Sequence, residues 1–401
     1  MRLPTSLEVL RLREYRLLFA GQAISLQGDG MVRVALPFAV LSVSRSASAV
    51  GAVFAARMVA LVACLLAGGV IADRTSRRAV MVTADVVRLI TQGATAALVF
   101  AGVAHVWSIA LLAAAGGAAS GFFAPASTGL LPDVVPAQQL QSANGLRGTA
   151  QAGGEIFGPV IAGILVAAAS AGWALAIDAA TFGASAILLA LMHVPARRTR
   201  AATSFLADLR DGWRAFTALR WVWMVVGSIT ISSIFWGAWS ALGPVVAERE
   251  LGGAEAWGVV LGAVGAGGLL GGLVAIRARP RRPLVLATIG FVVFSTPLGV
   301  LAAGASVPVL AAAAFVSGVG LMVGNSLWES TLQRHVPPES LSRVSAFDWF
   351  GSMALYPLGL AIWGPIAVAL GLHETIWLAF VLLVVTTLPL LAIRDVRELR
   401  D

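Results

Sequence analysis

Apolar residues in this chain of 401 come in runs of about 20 or more, separated by short polar turns. A helix of about that length crosses the hydrocarbon core of a bilayer. Twelve such helices are predicted, at roughly 17–43, 48–71, 79–103, 106–131, 144–169, 172–193, 221–246, 255–276, 284–304, 307–330, 341–367 and 374–393. The turns between them are of two kinds. One kind holds almost no arginine, with Arg45 in one turn and Arg249 in another. The other holds Arg74, Arg77 and Arg78, then Arg277, Arg279, Arg281 and Arg282, then Arg334 and Arg343. Short Arg-rich loops stay on the cytoplasmic side. Both tails are basic too, so an even number of spans with both termini in the cytoplasm is expected. Trp107, Trp173, Trp257 and Trp377 fall at the opposite helix ends, where an interfacial aromatic belt belongs. Residues 1–16 are polar and lead straight into a full-length apolar run, so no cleaved signal peptide is expected.

The one long polar stretch, 195–220, carries Phe205, Leu209, Trp213 and Phe216 at helical spacing. It reads as an amphipathic helix lying on the inner surface. It divides the chain into an N-terminal six-helix half (1–194), the linker (195–220) and a C-terminal half (221–401). The halves look like copies: Leu131, Val135-Pro136 and Leu140 align with Leu332, Val336-Pro337 and Leu341 at a constant offset of 201. The offset covers six helices, so the repeats share one orientation. The expected fold is an all-α polytopic membrane protein of two parallel, pseudo-symmetric six-helix halves, with its binding site near mid-membrane.

Composition narrows the function. Charged residues are 12% of the chain and apolar residues 58%, a balance with which a soluble protein of this size could not cover its surface. All 28 basic residues are arginine. Without lysine there is no P-loop for ATP and no Schiff-base chemistry. The single Cys64 and four scattered histidines form no metal motif, and neither a metal nor a cofactor is expected. The net charge of +8 is distributed by membrane side rather than on one helix face, which argues against nucleic acid as a partner.

A charge at mid-membrane costs at least ~2.5–3.5 kcal/mol, so each one marks a site. Asp29 and Arg33 stand four apart on span 1, on one helix face. They read either as a mutually neutralised pair orienting that span, or as a proton carrier with an arginine that tunes it or grips substrate. Arg57 in span 2 needs a partner from another helix, Asp178 or Asp29. Glu155 near the middle of span 5, with no cation fixed by the sequence, is a second candidate proton carrier. Asp178 is placed nearer the outer surface, where a structural role leads. Phe122, Phe123, Trp236, Trp239 and Trp363 are candidates for a pocket holding flat, lipophilic substrates, against the alternative of packing between helices.

Two motifs give these candidates a context. The stretch from Gly69 to Arg78, with Asp73, Arg74 and Arg77, packs four charges into six residues between spans 2 and 3. It resembles the loop between helices 2 and 3 of the major facilitator superfamily, with Ser76 where the family usually has glycine. In span 5, Gly145, Gly154, Gly158-Pro159 and Gly163 resemble the antiporter motif of that superfamily, with Ala162 in place of one glycine. The resemblance extends over the whole chain and is nearest to twelve-span drug/proton antiporters such as the enterobactin and macrolide exporters. It implies that Asp73, Arg74, Arg77 and Arg78 latch the cytoplasmic side, with Asp133 as a carboxylate partner. Many of these antiporters carry an arginine within helix 4. Span 4 here has none, so Arg33 or Arg57 would have to replace it.

The resulting expectation is not an enzyme. It is an inner-membrane secondary transporter that exports an amphipathic small molecule (a drug, siderophore or secondary metabolite) in exchange for protons. One chain holds both halves, so a monomer is expected. A proton-coupled importer and a lipid flippase are the alternatives.

Overall fold

The computed structural model describes residues 5–194, 210, 213, 214 and 216–399. Among them, twelve helices are long and apolar enough to cross a membrane. Spans 1 to 6 are Arg13–Ser44, Ala47–Arg74, Arg77–Phe100, Val106–Val134, Ala137–Ala168 and Ala171–Ala190. Spans 7 to 12 are Arg220–Leu251, Ala254–Arg277, Pro283–Ala302, Val307–His335, Val344–Leu370 and Leu372–Ala392. No strand occurs among the described residues. Several helices outrun the predicted apolar segments. Span 10, for example, continues to His335 and carries Arg334 in its last turn, because a helix need not stop where the hydrocarbon does.

Local chemistry sets the boundaries. Ser46 and Ser76 open spans 2 and 3, each accepting a backbone N–H three residues on through its hydroxyl oxygen, at 3.3 Å. Spans 9 and 11 are interrupted near Ser295 and Leu355, two residues before Pro297 and Pro357, since proline has no N–H to continue a helical ladder. Of the predicted 195–220 surface helix, Phe205 and Leu209 lie outside the described residues. Trp213 and Phe216 stack on each other and both reach Phe347 of span 11, with ring centroids 5.6 and 5.8 Å away.

The chain forms two compact units, Met1–Arg200 with Gly252–Gly262, and Ala201–Leu251 with Ala263–Asp401. In the first, span 1 packs on spans 5 and 6, span 3 on 4 and 6, and span 2 on 4. In the second, span 7 packs on 11 and 12, and span 9 on 10 and 12. Gly267 and Gly271 of span 8 sit against the backbone of Phe315 and Val319 in span 10. Each pairing therefore recurs six helices later. The repeat reaches backbone level: Val135-Pro136 (ψ 129° and 147°) and Val336-Pro337 (ψ 130° and 137°) are both extended where spans 4 and 10 end.

Span 8 begins within the first unit for a physical reason. A β-carbon at Gly163 would lie 2.7 Å from the Ala254 carbonyl oxygen, and one at Gly258 would lie 2.5 Å from the Pro159 carbonyl oxygen. The glycines of span 5 thus let another backbone come into contact, as small residues do between membrane helices. Gly154 and Gly158 do the same towards span 1, meeting Leu26 and Gly30. Gly145 has no such role: nothing lies within 4 Å of the position its β-carbon would take.

Candidate functional site

The charges of the first unit gather into one network on spans 1, 2, 3 and 6. Arg88 of span 3 is at its centre. Its Nη2 donates to Asp29 Oδ2 at 2.7 Å and its Nη1 to Asp85 Oδ1 at 3.1 Å. The guanidinium lies 3.8 Å from the ring centroid of Phe182 and 5.1 Å from that of Phe123, so aromatic faces from spans 6 and 4 flank the cation. Arg57 stands 4.0 Å from the other oxygen of Asp29. Asp178 is fully buried and accepts a hydrogen bond from Gln92 Nε2 at 2.6 Å. Its Oδ1 has no hydrogen-bond partner among the described residues. Gly28 makes room for it, since a β-carbon there would collide with Asp178 Oδ1 and Thr181 Oγ1.

The network corrects several sequence expectations. Asp29 and Arg33 share a helix face but do not pair. Asp29 turns to Arg88 and Arg57, while Arg33 lies 3.7 Å from Glu155 of span 5. Better-placed partners on neighbouring helices win over the contact within one helix. Glu155 is therefore not an unpartnered acid: it has Arg33 and also accepts from Gln151 Nε2 at 3.2 Å. Arg57 finds Asp29, one of its two expected partners. Asp178 is buried and belongs to the same network.

Asp85, Arg88 and Gln92 were missed by the sequence reading, although the signal was present. An Asp-x-x-Arg pair inside a predicted span meets the same criterion that singled out Asp29 and Arg33. Arg88 also brings an arginine against span 4. It comes from span 3 and lies against Phe123 of span 4.

The aromatic candidates divide into two sets. Phe122 and Phe123 are half-buried in span 4, and Phe123 faces Arg88. In the second unit Trp363 is buried, with its indole N–H donating to the Ile234 carbonyl at 2.6 Å. Trp239 is buried as well and stacks on Trp236. These two tryptophans are spent on packing, and of the three only Trp236 stays half-exposed.

At the turn between spans 2 and 3, Gly69 and the Asp73 side chain lie outside the described residues, and Arg74 is exposed. Arg77 donates to the Gly129 carbonyl at 2.7 Å and to Asp133 Oδ2 at 3.0 Å. Arg78 donates to the Leu189 carbonyl at 3.0 Å. The two arginines thus tie the start of span 3 to the ends of spans 4 and 6. Asp133→Ala removes this bond to Arg77. A loss of about 1–2 kcal/mol is expected, the scale of a charge-assisted hydrogen bond, read as a lower midpoint in thermal unfolding of the detergent-solubilised protein. An unchanged midpoint would show that this bond does not hold spans 3 and 4 together.

Twelve candidate spans fall in two units with the same order of helix pairings, and one unit holds a network of charges inside its helices. The chain belongs to the Major Facilitator Superfamily, whose family model matches residues 18–354. It is 28% identical over 389 residues to the multidrug efflux pump Tap of Mycobacterium tuberculosis, covering 92% of this chain and 90% of that protein. It is 20% identical over 395 residues to macrolide efflux protein A of Streptococcus pyogenes, covering 95% of this chain and 96% of that one. Among solved structures the nucleoside transporter NupG superposes with a TM-score of 0.75 at 14% identity, over 94% of this chain and 98% of that chain. These findings make it a multi-pass bacterial membrane protein whose partner is a small-molecule substrate.

Proposed function

We propose that this protein exports an amphipathic small molecule across the bacterial inner membrane in exchange for protons, as a monomer with both termini in the cytoplasm. The observation that carries the coupling is a charge count. Three carboxylates, Asp29, Asp85 and Asp178, face two arginines, Arg57 and Arg88, inside one unit. With every acid ionised the cluster holds one uncompensated negative charge, which is costly at membrane depth. One bound proton balances it. Interacting acids titrate as a group, so the proton belongs to the cluster rather than to one residue. Asp178, fully buried with no arginine within ion-pair distance among the described residues, is suited to hold it in one state and Asp29 in the other. Asp29 is the member open to water, with its side chain 33% exposed.

Export rather than import is supported by the efflux pumps among the relatives and by the packed glycine motif of span 5. Proton loading would shift the balance between states open to opposite sides of the membrane. Arg33 with Glu155 is a balanced, partly exposed pair, better placed to meet substrate than to carry a proton. Arg77 with Asp133, joined by Asp73, Arg74 and Arg78, would form the cytoplasmic latch.

The test is dye and drug accumulation in everted vesicles of an efflux-deficient host, with an imposed proton gradient and a panel of lipophilic cations and neutral drugs. Accumulation that needs the gradient and disappears in Asp29→Asn is the expected result. Gradient-independent accumulation, or an Asp29→Asn variant equal to wild type, would overturn the antiport reading. No transport of any panel member by folded protein would move a narrow-substrate exporter or a flippase to the front.

A further inference from the structure

Around Arg88 some hydrogen-bonding atoms are used and others are idle. Nη2 and Nη1 are spent on Asp29 and Asp85, while Arg88 Nε has no hydrogen-bond partner among the described residues. Asp85 uses only Oδ1, and its Oδ2 is also without a partner. A forked, two-bond arginine–carboxylate pair needs two donors on one edge of the guanidinium and both carboxylate oxygens; Nη1, with Nη2 once released from Asp29, and the idle Asp85 Oδ2 beside Oδ1 supply them. Arg88 and Asp85 stand three apart on span 3, so the second arrangement needs only side-chain movement. Burial differs sharply between the two acids. Asp85 is 0% exposed, whereas the Asp29 side chain is 33% exposed.

From this geometry we infer that Arg88 is the positioning residue that conveys the protonation state of Asp29 to spans 3 and 6, by exchanging a bridge between two carboxylates for a forked pair with Asp85 alone. The inference rests on the proton-coupled reading above. When Asp29 is ionised, Arg88 ties span 1 to span 3. When Asp29 takes a proton its hold on the cation falls away. A guanidinium does not give up its own proton in a protein, so it must keep a counter-ion, and Asp85 is the one within reach. The flat cation lies along the Phe182 ring, so its shift moves a contact with span 6 as well. The other charged groups around the pair are Arg57 on span 2, Asp178 on span 6, and Arg33 of span 1 held by Glu155. None of these supplies a second anion to Arg88 at ion-pair distance among the described residues.

Hydrogen exchange of the purified full-length protein, followed peptide by peptide across a pH series, tests this without a known substrate. In the wild type, protection of spans 3 and 6 is expected to change with pH, and Asp29→Asn is expected to lock it in one state. Arg88→Lys keeps the charge but not the fork, and Asp85→Asn removes the fallback anion. Each is expected to lose the pH response of spans 3 and 6 while keeping the overall protection of a folded protein. A wild type whose spans 3 and 6 exchange independently of pH overturns the inference even if both variants fail to fold. So does an Arg88→Lys variant with the wild-type response. Antiport in vesicles without this response sinks the relay alone, whereas the response without gradient-driven transport sinks the antiport reading and leaves the relay standing.

Discussion

An Asp178→Asn variant is expected to insert, fold and still exchange labelled for unlabelled substrate, yet to lose uphill, gradient-driven transport by roughly 100-fold or more, the scale on which removing a proton-transfer group acts. The charge balance of the cluster is again the cause. Without Asp178, two carboxylates face two arginines and the cluster is neutral with no proton bound. The asparagine side-chain oxygen still accepts from Gln92, so the span 3 to span 6 contact survives. Thermal unfolding together with counterflow in proteoliposomes separates the two effects. Uphill transport equal to wild type would show that Asp178 is a structural acid. Loss of exchange along with uphill transport would point to a substrate ligand instead.

Gly158→Val is expected to have the largest effect on stability. A β-carbon at Gly158 would lie 2.7 Å from backbone atoms of Gly30 and 2.9 Å from the Gln27 carbonyl oxygen. Backbone cannot step aside as a flexible side chain can, so spans 1 and 5 must separate at this point. Overpacking typically costs about 1–3 kcal/mol, and here the displaced segment carries Asp29 one residue from Gly30. Size-exclusion profiles of a fluorescent fusion should show little folded monomer. Gly145→Val, in the same motif but with open space around it, is expected to match wild type. Equal behaviour of the two variants would contradict the packing account.

Much of the fold was legible in the sequence. Runs of apolar residues and Arg-rich turns indicated twelve spans, and the Val-Pro pairs 201 residues apart marked the repeat down to backbone angles. Membrane helices are read easily because the bilayer fixes both their length and their composition. The site was only half legible. Asp29, Arg57 and Asp178 were found because each stood out as a charge in apolar surroundings. Their partners could be narrowed only to candidates, as for Arg57, because pairing depends on which helix faces cross, and sequence spacing reports only contacts within one helix. The same gap hid the cation of Glu155, which comes from span 1. Asp85 and Arg88 escaped because span 3 opens with two further arginines, which draw attention to the turn instead of the interior.

The charges of span 1 also bear on how the protein is made. Spans 1 and 3 are the least hydrophobic of the twelve, each with a mean hydropathy of 1.2, against 2.0 for span 2 and 2.3 for span 12. Asp29 and Arg33 each weigh against insertion of an isolated helix by about 2.5–3.5 kcal/mol. Span 1 leaves the ribosome before Arg88 has been synthesised and long before Glu155 has. During biogenesis its polar groups must therefore be sheltered by something other than their final partners, by water, headgroups or the insertion machinery. Only when span 5 arrives does the last of these counter-charges close. The charges of span 1 thus leave that helix dependent on the later ones for its place in the membrane.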